Sequence, residues 1–127
     1  MRIMRQIKPE FLDDRGGITK ILDEEGAIVK SILLITSKTG AVRANHFHKK
    51  DSHYCYLESG KMEYFERPVG STAEPEKVII EAGDMVYTPP QHEHAMRFLE
   101  DSVFYAYATE HRSQMDYESD TVRVKLI

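Results

Sequence analysis

The chain has 127 residues, 41% of them hydrophobic and 30% charged, with a formal net charge of -4. That length supports a single domain, 1–127, with a sizeable core, and mild acidity without a dense basic run argues against nucleic acid as a partner. The one cysteine, Cys55, excludes an internal disulfide framework and agrees with a reducing, cytoplasmic setting. No stretch approaches the ~20 apolar residues of a membrane helix, and the basic N-terminus lacks the apolar run of a secretory signal.

In chain order, residues 1–8 read as an edge strand or extended arm. Phe11 to Gly17 reads as a chain reversal rich in Asp and Gly, followed by a short strand from Ile18 to Leu22 and a turn at 23–26. Ala27 to Thr36 is the strongest apolar run, and its Ile and Val content favours a strand. Lys61 to Glu66 alternates like a strand. Arg67 to Glu76, with Pro68, Gly70 and Pro75, is a surface loop. Lys77–Glu81, Met85–Thr88, Ala95–Leu99 and Val103–Thr109 are further short strands. Residues 110–119 are polar enough for a helical turn, and Thr121 to Ile127 alternates as a final strand. Short strands with turn residues between them indicate an all-β barrel or sandwich.

The informative stretch runs from Gly40 to Gly60 and holds His46, His48 and His53. On a strand, residues two apart leave the same face, so His46 and His48 point together. Lys49 to Ser52 suits a turn, and His53 opens a second strand-forming run. Folded back as a hairpin, these runs bring His53 opposite the pair, a metal half-site that His94 is placed to complete. Imidazole ligands suit Fe, Zn, Ni, Mn or Cu and not Ca or Mg. Cys55 reads as a small buried hydrophobe. Arg43 lies on the opposite parity from His46, and would reach the site only if a bulge re-aimed it. His92 reads as a rim residue.

The spacing Gly40, His46, His48, His53, Gly60, followed by Gly83, Pro89 and His94, resembles the two motifs of the cupin superfamily. The motif core spans about 40–98. The resemblance implies a double-stranded β-helix, or jelly-roll, barrel with a metal at its centre. It implies His46, His48 and His94 as ligands, with His53 standing where the family usually has glutamate. Asp14-Arg15-Gly16-Gly17 and Val42-Arg43-Ala44-Asn45-His46-Phe47-His48-Lys49 are also similar to cupin deoxysugar epimerases and ketoisomerases.

Two enzyme readings follow. One is a metal-dependent oxygenase or isomerase of a small oxygenated or anionic substrate. The other is a nucleotide-deoxysugar epimerase or ketoisomerase in which His46 or His48 is the general base. Val103, Tyr105 and Tyr107 share a face of one strand; if that face is inward, Tyr105 and Tyr107 are the expected catalytic phenols. A non-catalytic binding module is the third reading. A homodimer is expected because the terminal strands 1–8 and 121–127 look like edges needing cover.

Overall fold

Period-2 alternation becomes twelve strands and one short helix in the computed structural model, which describes all residues 1–127. The strands are β1 (Arg2–Met4), β2 (Phe11–Asp13), β3 (Gly16–Ile18), β4 (Ser31–Ser37), β5 (Val42–His48) and β6 (His53–Ser59). They continue with β7 (Lys61–Pro68), β8 (Glu76–Glu81), β9 (Met85–Thr88), β10 (His92–Phe98), β11 (Ser102–Ala108) and β12 (Thr121–Arg123). Helix α1 (Gln114–Asp120) precedes β12; Ser113 caps it by accepting from the Asp116 amide at 3.2 Å.

Two five-stranded antiparallel sheets face each other, in the orders β1-β9-β6-β11-β4 and β12-β5-β10-β7-β8, and β2-β3 forms a separate hairpin. This is the expected jelly roll. Between the sheets lies a core of Cys55, Leu57, Met62, Tyr64, Ile80, Val86, Met96, Phe98, Phe104 and Ala106. No helix is long and apolar enough to cross a membrane.

Three expectations need correction. The strand expected from Ile18 to Leu22 is absent: Ile18 is the last residue of β3, and no strand covers 19–22. The β5 and β6 runs do not form a hairpin. β5 pairs with β10 and β12, and β6 pairs with β9 and β11, so the 49–52 turn is a corner between sheets. His53 still confronts His46 and His48, but across the barrel. The final strand is also shorter than its alternation implies, because the tail leaves the ladder to bond Asn45: Val124 donates to its carbonyl at 2.9 Å, and Leu126 and Ile127 to its Oδ1 at 3.1 and 3.2 Å.

Gly60 joins β6 to β7 at φ 94°, and a Cβ there would sit 2.6 Å from the Asp101 carbonyl oxygen. Both the left-handed backbone and the close approach demand glycine. Gly60→Ala is expected to cost about 2 kcal/mol or more, read as a shift in urea midpoint against wild type. An unshifted midpoint would show that the turn relaxes freely.

Candidate functional site

Strand parity, applied to three strands in two sheets, sends four imidazoles to one place. His46 and His48 come from β5 and His94 from β10, directly opposite His46 in the ladder; His53 comes from β6 in the facing sheet. All four are buried. Ring centroids lie 4.6 Å apart for His46–His48, 4.7 Å for His46–His94, 5.1 Å for His53–His94 and 5.6 Å for His48–His53.

Hydrogen bonding fixes which nitrogen faces inward. His94 Nδ1 lies 3.0 Å from the His92 carbonyl oxygen, an acceptor only, so Nδ1 carries the proton and the Nε2 lone pair is free. His48 Nδ1 lies 3.3 Å from Thr121 Oγ1 and 3.4 Å from Asp120 Oδ2. The Thr121 hydroxyl already donates to the Tyr117 carbonyl at 2.6 Å, so it accepts from His48, and His48 likewise presents Nε2.

Burial keeps these rings neutral. It pushes His46 down to about 2, helped by the neighbouring rings of His94 and His48. It pushes His94 down to about 4, although the bond to the His92 carbonyl works the other way. His53 is held well below the usual imidazole range by burial and by the other rings. His48 is lowered by burial against the opposing charges of Asp51 and Asp120. Neutral imidazoles with converging lone pairs are what a transition metal requires.

The ligating atoms of His46, His48 and His94 lie within 4.8 Å of one another, as do those of His48, Asp51 and His53. Two atoms each about 2.1 Å from a common ion are separated by at most about 4.2 Å, so each triad has nearly the spread of one cation site, and His48 is common to both.

The rings end a cavity of about 150 Å³ whose wall also carries Arg43, Asp51, Arg112 and Tyr117. Arg43 arrives by a bulge. In the β5–β10 ladder His46 faces His94 and Ala44 faces Ala95, so Asn45 is an extra residue. Ala44 and Asn45 both take positive φ, 68° and 55°. The slip puts Arg43 opposite Met96, which points inward with His94. Its guanidinium is braced by Ser37 Oγ at 2.7 Å and the Thr36 carbonyl at 2.9 Å. The C-terminal tail, bonded to Asn45, holds the bulge in place.

Helix α1 lies at the cavity. The Tyr117 ring centroid is 5.9 Å from His48 and 6.3 Å from His46, and the Arg112 guanidinium lies 4.1 Å from the Tyr117 ring. Asp120 ties the helix down by accepting from the Lys50 amide at 2.8 Å and the Asp51 amide at 3.2 Å. The helical turn expected within 110–119 is present, but no sequence signal placed it at the site. Sequence reasoning also missed Asp51, although its position between His48 and His53 in the 49–52 turn was a usable signal.

Tyr105 and Tyr107 are not in the site, a correction of the expected catalytic pair. The inward face of β11 is Phe104, Ala106 and Ala108, and the tyrosines stack on the outer face with centroids 6.5 Å apart. The physical reason is register. Ala108 pairs with His53 and Ala106 with Cys55, both inward, and only small side chains fit beside the imidazoles. Cys55 is buried, with its thiol pushed up to about 12 by burial, and is no nucleophile. His92 is more than a rim residue: its Nδ1 meets buried Glu66 at 3.2 Å, and Glu66 in turn accepts from the Tyr64 hydroxyl at 2.7 Å.

Comparison with known proteins agrees with the architecture. Among solved structures, the QdtA 3,4-ketoisomerase from Thermoanaerobacterium thermosaccharolyticum, a double mutant in complex with TDP, superposes with TM-score 0.74 at 22% identity over 96% of this chain and 86% of that one. Another mutant of that enzyme holds TDP-4-keto-6-deoxyglucose. A 3,4-ketoisomerase from Helicobacter canadensis gives 0.76 at 17% identity, over 96% and 89% of the two chains. The dTDP-4-dehydrorhamnose 3,5-epimerase from Sulfolobus tokodaii gives 0.68 at 21% over 84% and 69%. At these identities the likeness is one of fold. No curated protein sequence matches the chain. The model of the Cupin domain family matches residues 33–110, the span that carries all four clustered histidines, and the chain belongs to that family.

Proposed function

We propose that this cupin is an isomerase or epimerase of a small keto sugar bearing an anionic handle, with nucleotide-linked deoxysugars as the leading substrate class. We propose further that its imidazoles bind a divalent first-row transition metal. One observation supports this most: four neutral buried imidazoles end a cavity that also carries the guanidinium groups of Arg43 and Arg112. The likeness to sugar-nucleotide ketoisomerases and an epimerase favours isomerisation over the oxygenase reading.

A ketoisomerase takes the proton from the carbon beside the carbonyl, passes through an enediol, returns a proton to the former carbonyl carbon and shifts the hydroxyl proton between the two oxygens. An epimerase instead returns the proton to the same carbon on its other face; neither needs an external oxidant. Arg43, braced on Ser37 and Thr36, is pre-oriented for an anion, and Arg112 adds a second positive charge. Tyr117 is the phenol placed to give or take a proton, in the role the sequence reserved for Tyr105 and Tyr107. His46, His48, His53 and His94 would hold Fe, Zn, Ni, Mn or Cu, which when bound supplies Lewis-acid polarisation of the carbonyl.

A metal-free variant of the same chemistry is favoured by one specific contact. Asp120 and Thr121 hold His48 Nδ1, so its Nε2 faces the cavity as a general base would. A metal-bound ring has no lone pair to do this. The test is TDP-4-keto-6-deoxyglucose in deuterium oxide, followed by proton NMR, with metal-loaded and chelator-treated protein. Loss of the signal next to the carbonyl only in the loaded sample supports the metal enzyme. Equal exchange in both supports His48 as base. No exchange and no product in either contradicts the isomerase reading.

A homodimer is the proposed assembly. β1 and β12 are sheet edges, as the sequence implies, but the apolar exposure lies at β4. Ile32 and Leu34 are 65% and 61% exposed beside Tyr107 and Tyr105, on a strand whose outer edge has no partner. A two-fold related copy brings an identical edge and face to cover them. Sedimentation at micromolar concentration should give twice the chain mass, and Leu34→Lys should give the monomer. A monomeric wild type would contradict the assembly.

A further inference from the structure

The carboxylate of Asp51 is the group in the cavity with the least explanation. Asp51 is only 4% exposed. Three donors converge on one of its oxygens: the Thr109 amide at 3.0 Å, the Thr109 hydroxyl at 3.1 Å and the Glu110 amide at 3.1 Å, all to Oδ1. Oδ2 accepts nothing from the protein, and Asp51 lines the cavity beside the imidazoles. Oδ2 is not sealed off but open to the cavity, so a carboxylate otherwise withdrawn from solvent presents one free oxygen where a cation can meet it. No lysine or arginine pairs with it. The groups that do approach it are His48 and His53, whose ligating atoms lie with its own inside a 4.8 Å circle. Those rings are neutral, so they supply no charge.

The converse problem belongs to the rings. Four neutral imidazoles would leave a divalent ion's whole charge uncompensated in a low-dielectric interior. The two deficits cancel if one ion meets both.

We propose that Asp51 is a ligand of the cluster: its Oδ2, with His48 and His53 from one side and His46 and His94 from the other, binds a single divalent cation. This rests on the reading of the imidazoles as a metal centre and adds to it an anionic oxygen donor. The corner between β5 and β6 acquires a purpose. Asp120 accepts from the Asp51 amide at 3.2 Å and lies 3.4 Å from His48 Nδ1, so one side chain orients two members of the set. A mixed nitrogen and oxygen shell also moves the site's preference toward Fe, Mn or Zn and away from Cu(I).

The test uses cobalt(II) as a coloured probe, with affinity measured by competition against a chromophoric chelator for wild type and Asp51→Asn. Asparagine retains an oxygen for Thr109 and Glu110 and removes the charge. The expected result is at least a tenfold weaker affinity and a changed visible spectrum, with the melting temperature of the metal-free protein showing that the fold survives. Wild-type protein carrying carbon-13 aspartate gives a second readout that needs no variant: the Asp51 carboxyl resonance should shift as one equivalent of zinc is added. If wild type binds cobalt and Asp51→Asn binds it equally with the same spectrum, or the resonance does not move, Asp51 is not a ligand and the imidazole centre stands. If wild type binds no cobalt, the metal centre and this proposal fall together.

Discussion

His94→Ala should lower turnover by about 10²-fold or more, the scale of losing a preorganised group at a reacting centre, and should weaken metal binding by more than tenfold. His94 is 1% exposed and is the ring closest to equidistant from the rest, with centroids 4.7, 5.1 and 5.7 Å from His46, His53 and His48. Its proton is committed to the His92 carbonyl, so its free lone pair has no use except toward the cavity. His92→Ala is the informative partner. It removes the bond to Glu66 but keeps the backbone carbonyl that orients His94, so metal affinity should stay within a few-fold of wild type. Steady-state kinetics and chelator competition on both variants check this. Equal loss in the two would mean that His94 acts through packing rather than through its nitrogen.

The metal-free protein should lose stability steeply as pH falls below about 6.5. An unfolded imidazole takes up a proton near pH 6.5, whereas His46 in the fold does so only at about 2 and His94 only at about 4. Between those limits the unfolded chain binds more protons than the native one. The slope is therefore destabilising on acidification, about 1.4 kcal/mol per pH unit for each such ring. Burial raises the Asp51 carboxyl above its ordinary value, which acts in the opposite sense. His46, His53 and His94 together outweigh it, so the loss deepens as pH falls toward 4. Zinc should raise the melting temperature at pH 7 by linkage, with the gain shrinking as protons compete for the same lone pairs. Thermal melts from pH 8 to 5, with and without zinc, test both slopes. A flat melting temperature for the metal-free protein would contradict the buried neutral cluster.

Much of this was legible in the residues. Strand-forming residues bounded by turn residues located β5 to β11 to within a few positions; alternation is clean in β11, whereas β6 and β9 bury both faces. The histidine spacing identified the cluster because parity survives whichever sheet a strand joins. Partnering did not survive: a four-residue polar turn fits a hairpin and an inter-sheet corner equally, and only the pairing of β6 with β9 and β11 decides between them. Tyr105 and Tyr107 were misplaced because both faces of β11 are apolar, and the choice falls to the space left beside His53. The bulge at Asn45 has no local sign, since its anchor is the tail some eighty residues away. Asp51 had its place between His48 and His53 as a sign, but its burial had none, because the donors that fix it, Thr109 and Glu110, follow β11.

The central claim, that the four rings surround one cation, is tested most directly by long-range proton–nitrogen-15 NMR of the histidine side chains during a zinc titration. The account predicts that His46, His48, His53 and His94 appear as neutral tautomers before zinc is added. All four should then shift together and be complete at one equivalent, while His111 stays unchanged. Rings that titrate near pH 6.5 and ignore zinc, or that saturate independently of one another, would contradict it.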